Sequence, residues 1–231
     1  MTFPRMLRVR QTYQGAPLSN VASVVREKIG TLALGNRVKP GQTIAITAGS
    51  RGITGIDAII RAVADECKSL GLAPFIVPAM GSHGGATADG QREIIEHYGI
   101  TEAAIGCPIK SSMEVVRIGS VKEIPVFCDR NAWEADHIAV VGRVKSHTDF
   151  EGEIESGLFK MMAIGLGKKA GAEVYHRAGL KYGYADIFPS VGRKVLETAR
   201  VLFGLAILEN AHQETTRIEA VIPSDFWETE K

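Results

Sequence analysis

Lys160 stands inside an apolar run, with Gly157-Leu158-Phe159 before it and Met161-Met162-Ala163-Ile164 after it. Desolvating an ammonium is costly, so a lysine drawn into such a run is paired, neutralised or used chemically. His147 lies upstream and His176 downstream. Two more candidates sit among small residues that let a ligand approach the backbone: Arg51 in Gly49-Ser50-Arg51-Gly52 and His83 in Gly81-Ser82-His83-Gly84-Gly85. Imidazoles with an unperturbed pKa near 6.5 accept and return protons near neutral pH, and a guanidinium in a glycine-rich turn suits a carboxylate or phosphate.

These residues need a scaffold, and the pattern supplies one. Gln42 to Thr47 reads as a strand. A loop, AGSRGITG, follows it, and then a helix from Ile56 to Leu70 with apolar positions at Ile56, Ile59, Ile60, Val63 and Cys67. The unit repeats as strand Ala73 to Ala79, loop MGSHGGAT and helix Asp89 to Tyr98, stopped at Gly99. Glu114 to Ile118 and Ile124 to Cys128 read as a hairpin around Gly119, His137 to Val141 as a strand leading into GRVKSHTDFEG, and Val201 to Leu208 as a further buried strand. Strands alternating with helices predict a doubly wound, mostly parallel α/β sheet with helices on both faces. In such sheets ligands bind outside the carboxyl ends of the strands, and Arg51, His83 and His147 all fall in loops at that edge. His97 and His212 read as surface or hydrogen-bonding residues, and His137, at a strand start, as structural.

A straight helix from 155 to 176 would separate Lys160 from His176 by about 24 Å at 1.5 Å per residue. Gly165, Gly167 and Gly171 each cost a helix interior about 1 kcal/mol relative to alanine, so the run is expected to end near them and turn back. Ser156 and Gly157 would then open the helix with exposed N–H groups, where a phosphate is stabilised. The bland alternative for Lys160 is a stem laid along apolar neighbours with its ammonium in water.

The remaining composition narrows the function classes. The 231 residues suffice for one domain or a domain and part of another. A net charge of +1 with 23% charged residues offers no positive field for nucleic acid or an anionic membrane. No apolar run approaches a membrane span, and MTFPRMLRVR makes a poor signal peptide, so a cytoplasmic location is expected. Cys67, Cys107 and Cys128 form no CxxC pair. Neither GxGxxG nor GxxxxGK[ST] occurs, which disfavours an ordinary nicotinamide or ATP site, and no HExxH suggests zinc.

The set Ser50-Arg51, Gly81-Ser82-His83, Val144-Lys145-Ser146-His147-Thr148, Glu155-Ser156-Gly157-Leu158-Phe159-Lys160 and Tyr175-His176 resembles the lactate racemase family, whose members use a nickel-pincer nucleotide. The resemblance runs from about Arg8 to the end, and the spacing of sixteen between Lys160 and His176 is its most specific element. It implies that Lys160 carries the nucleotide covalently, with Ser156 and Gly157 beside it, and that His176 ligates nickel. His83 and His147 would form the acid/base pair on the substrate hydroxyl, and Arg51 would hold the substrate. The implied reaction racemises or epimerises a 2-hydroxy acid by moving hydride to and from the cofactor.

In the family's lactate racemases an aspartate precedes the arginine by three residues. Ala48 stands there in this chain, so a sugar acid is expected on equal terms with a lactate-like substrate. The resemblance also implies cofactor maturation proteins as partners. It divides the chain into a cofactor-bearing domain, 1–210, and the beginning of an incomplete second domain, 211–231, whose remainder would supply further substrate contacts. The competing readings are a truncated, non-catalytic nucleotide- or metal-binding module and a hydrolase with His83, His147 and His176 around zinc.

Overall fold

The computed structural model describes residues 6–12 and 15–231, so the first five residues of the N-terminal stretch read above for a signal peptide lie outside it. Along the chain, α1 (Val21–Gly30) precedes β1 (Thr43–Ala48), α2 (Ile56–Ser69), β2 (Ala73–Pro78), α3 (Ala88–His97) and the short α4 (Glu102–Ile105). Strands β3 (Val115–Val121) and β4 (Ile124–Asp129), α5 (Arg130–Glu134) and β5 (His137–Arg143) follow. Then come α6 (Leu158–Lys160), a π-helical turn at Met161–Gly165, α7 (Leu166–Tyr182), α8 (Tyr184–Thr198), β6 (Val201–Glu209), β7 (Thr215–Val221) and α9 (Phe226–Glu230).

The strand alternation resolves into two cores. Ile44 and Ile46 of β1, Ile76 of β2 and Ala139 and Val141 of β5 face one way, against Val25 of α1, Ile59 and Val63 of α2 and Ile95 of α3. Ala45, Phe75, Val77, Ile138 and Val140 face the other way, against Leu158, Phe159, Tyr175, Ile187 and Val191. The period of two along each strand therefore buries both faces, which is why these strands read as nearly continuous apolar runs. The expected fold class is the one observed: a mostly parallel sheet covered on both sides.

The strand order is β2-β1-β5-β6-β7, parallel through β6, with β7 antiparallel to β6. Chain order runs outward from β1 in both directions, so the topological switch point lies between β1 and β5. There the loops leaving adjacent strands turn to opposite faces and open a crevice.

Two expectations change. The hairpin turns at Lys122 and Glu123, both at positive φ, while Gly119 sits at a register shift farther back on β3. A two-residue turn with both φ values positive matches strand twist, but Lys-Glu lacks the Asn-Gly signature by which such turns are recognised. Residues 211–231, expected to begin a second domain, here complete the first sheet: β7 pairs with β6, and Phe226 is buried in the second core.

Candidate active site

The loop after β1 is tied down on several sides. Tyr98 Oη donates to Ser50 O (3.2 Å), Thr54 N to Glu209 Oε1 (3.1 Å), and Arg143 both donates to Gly52 O (3.4 Å) and pairs with Glu209. Arg51 is exposed on this fixed loop and forms no ion pair or hydrogen bond among the described residues. An unpartnered guanidinium at the switch point is free to take an anion.

The loop after β2 needs positive φ at Gly81 (63°) and Gly84 (66°). A Cβ on Gly84 would lie 2.6 Å from the Gly90 carbonyl carbon, so glycine is required where α3 closes on the loop. His83 projects from this loop with Ser50 Oγ as the partner of its Nδ1. Its carbonyl accepts from Gln91 Nε2 (3.2 Å).

The loop after β5 is organised by Glu155, whose carboxylate accepts from His147 N (2.7 Å) and Gly152 N (3.1 Å) and is held below the usual range by those bonds. His147 Nδ1 accepts from Asp149 N (3.1 Å), which leaves the neutral ring's proton on Nε2. The ring stacks on Phe150 at 4.3 Å between centroids.

Lys160 and His176 are brought together as the glycine pattern predicts, by a different local device. Helical geometry runs through Gly167, and the chain then breaks at Lys168 (φ 54°, ψ −158°) before helix resumes to Tyr182. Gly171 lies inside the second helix rather than at a stop. A Cβ there would come within 2.7 Å of the Tyr175 ring, so its role is to seat Tyr175, whose hydroxyl accepts from Phe127 N (2.8 Å). After the break, the His176 ring packs 5.8 Å from the Phe188 ring, and Lys160 Nζ lies 5.7 Å from that same ring. Phe150, under His147, also packs on Phe188 (5.9 Å). Phe188 of α8 is thus the floor shared by Lys160, His176 and, through Phe150, His147.

The charges interact across the site. Burial, then Arg51 and Lys160, lower the pKa of His83; burial, then Lys160, lower those of His147 and His176. Lys160 is itself lowered by burial and by Lys145 and Arg51, with Asp149 opposing. The result is three imidazoles biased toward neutrality around an amine biased toward its free base.

The helix N-terminus differs from expectation. The N–H groups of Leu158 and Phe159 are not open: Glu230 Oε2 accepts both, at 2.8 and 3.2 Å. Ser156 O accepts from Lys145 N (2.9 Å), and Gly157 packs so tightly that a Cβ would lie 2.4 Å from Glu230 Oε1. Burial pushes Glu230 up to about 7 against those two bonds, and its Oε1 is buried without a partner.

Among the described residues no three His, Cys, Asp or Glu side chains converge on a metal-sized site, so the zinc hydrolase reading has no ligand set. The residues missed by sequence reasoning are the aromatic floor of Phe150 and Phe188, the capping Glu230, and Lys168 with Asp129 and Gln91. None carries a local motif. The clearest available signal was the lysine doublet Lys168-Lys169 directly after a glycine.

The fold and this edge define an α/β domain of the doubly wound class, with candidate catalytic groups gathered at its switch point. No family model and no curated protein matches the sequence. Among solved structures, the lactate racemase apoprotein from Thermoanaerobacterium thermosaccharolyticum matches with a TM-score of 0.68 at 14% identity, over 90% of this chain and 53% of that one. The likeness shows a shared fold, and the chain spans about half the length of that structure. No helix among the described residues is long and apolar enough to cross a membrane.

Proposed function

We propose that this domain is the cofactor-bearing part of a nickel-pincer nucleotide-dependent racemase or epimerase acting on a 2-hydroxy acid, lactate-like or a sugar acid. The observation that carries the reading is that Lys160 Nζ (5.7 Å) and the His176 ring (5.8 Å) both lie against the Phe188 ring, with the Lys160 charge felt at His176. A desolvated amine biased toward its nucleophilic form suits covalent tethering, and a single neutral imidazole suits a metal whose other ligands come with the group itself. Lys160 would hold the nucleotide and His176 its nickel, with Ser156 and Gly157 alongside. When bound, the group supplies a reversible store for the substrate hydride.

The chain's own residues do the rest. Arg51 holds the substrate carboxylate by charge-assisted hydrogen bonds. His83 and His147 leave β2 and β5, the strands on either side of β1, and so flank the Arg51 loop. One takes the hydroxyl proton of one enantiomer and becomes imidazolium, and the other, already imidazolium, returns a proton when the opposite enantiomer forms; His147 gives up the Asp149 N–H contact at Nδ1 when its ring takes up a proton. A further domain closing this edge and proteins that load the cofactor complete the proposal, as does a cytoplasmic location.

Intact mass spectrometry of protein co-produced with cofactor-synthesis enzymes is the direct test. A nucleotide-sized adduct is expected on the wild type and is absent from Lys160→Ala. An unmodified wild-type mass removes the covalent claim. In a two-domain version, substrate deuterated at C2 keeps its label through isomerisation, whereas washout into water signals proton abstraction from carbon.

Glu230 already fills the amides of Leu158 and Phe159, so the nucleotide phosphate of this reading sits elsewhere than on that helix N-terminus.

A further inference from the structure

Behind the candidate site, three polar side chains with no exposed surface meet from three separate elements: Lys168 at the break in α7, Asp129 at the end of β4 and Gln91 on α3. Lys168 Nζ donates to Pro78 O and to Gln91 Oε1 (3.1 Å) and lies 3.1 Å from Asp129 Oδ2. The contact with Asp129 is an ion pair in which Oδ2 accepts no well-directed hydrogen bond. Gln91 passes the connection onward, its Nε2 donating to Gly81 O (2.9 Å) and His83 O (3.2 Å). Asp129 Oδ1 meanwhile caps α5 through Ala132 N (2.9 Å).

Stability alone does not account for this arrangement, since buried ion pairs are often matched or bettered by apolar residues of similar volume. Its location is more informative. Lys168 occupies the one residue whose left-handed backbone folds His176 back toward Lys160, and its ammonium grips the end of β2 and, through Gln91, both carbonyls of the loop that presents His83. No part of it reaches solvent, so it touches no ligand.

We propose that Lys168, with Asp129 and Gln91, is a positioning network that fixes the His83 loop relative to the Lys160–His176 turn. What the positioned groups do rests on the function proposed above, but the network itself can be tested on the protein without cofactor.

The test reads the imidazole nitrogen and carbon-bound proton shifts of each histidine at one pH, in wild type, in Lys168→Met/Asp129→Asn and in Gln91→Leu. The double variant removes both charges, and asparagine keeps the α5 cap, so the fold is retained without an orphaned buried charge. The signals of His83 and His176 are expected to leave their wild-type positions together, while those of His137, bonded to Gln42 (3.0 Å) at the far end of the sheet, and His97 stay in place. Wild-type signals for either His83 or His176 in the double variant overturn the linkage. Should that variant not fold, Gln91→Leu decides: it leaves the ion pair intact and is expected to move His83 and spare His176, and an unmoved His83 refutes the network. In a loaded two-domain enzyme the Lys160 adduct persists in these variants while kcat falls by about 10²-fold at little changed KM, the cost of misplaced groups rather than lost binding. Absence of the adduct from wild type would instead count against the proposed function, whatever the histidine signals show.

Discussion

Lys160 and Lys168 lie eight residues apart on one segment and meet opposite circumstances. Lys168 has no exposed surface and is matched by Asp129, Gln91 and Pro78 O. Lys160 is half-buried, makes no ion pair among the described residues, and sits near Lys145 and Arg51, with only Asp149 opposing them. Burial lowers the pKa of both, but only Lys168 has a full set of acceptors to offset its desolvation. A buried charge with its partners built in is architecture; one left short of partners beside other cations is a place for an anionic or electrophilic ligand.

The sharpest way to break this contrast is to remove each ammonium in turn. Lys168→Met strands Asp129 in a dry interior and is expected to cost about 3–5 kcal/mol, whereas Lys160→Met in the protein without cofactor costs less than about 1 kcal/mol. Urea midpoints measure both. Similar losses for the two would erase the distinction.

Glu230 extends the comparison to a carboxylate satisfied on one oxygen only. Its folded pKa, about 7, lies above the ordinary 4.5, so between those values the folded state keeps a proton that the unfolded state has released. Stability therefore falls as pH rises through this window, by up to about 3 kcal/mol, and levels off above it. Glu230→Gln, which keeps an acceptor for Leu158 N and Phe159 N, is expected to flatten that slope when chemical denaturation is compared at pH 5 and pH 8. A slope unchanged by the substitution assigns it to other groups.

The smallest expected effect concerns the histidines. Removing the Lys160 charge takes away one cause that depresses His83, His147 and His176, so Lys160→Met raises all three toward the ordinary imidazole value. Proton-detected titration of each ring follows this directly. A rise confined to one of them would mean that the amine does not serve a common site.

Most of the scaffold was legible because its signals are local. Short, nearly continuous apolar runs mark Thr43–Ala48 and His137–Arg143, a helical stripe marks Ile56–Ser69, and glycines needing positive φ mark the loop with His83. Once the strands are read as parallel, Arg51, His83 and His147 must gather at the carboxyl edge, since every strand-to-helix loop leaves from that side. The glycines after Lys160 likewise announced a reversal, though they could not identify Lys168 as the residue that makes it.

The sequence by itself therefore determined the principal strands of the sheet, the helices after the first two, the edge and the residue types able to do chemistry there, because each follows from spacing within a few turns of chain. Only the tertiary structure decided which groups are partnered. Gln91 and Pro78 reach Lys168 from 77 and 90 residues away, and Glu230 reaches Leu158 from 72. No periodicity encodes such meetings; they arise when packing two faces of one sheet forces distant polar groups out of water and leaves them only one another. The same is true of β7, whose short alternating stretch suits any sheet edge and was assigned by the open flank of β6.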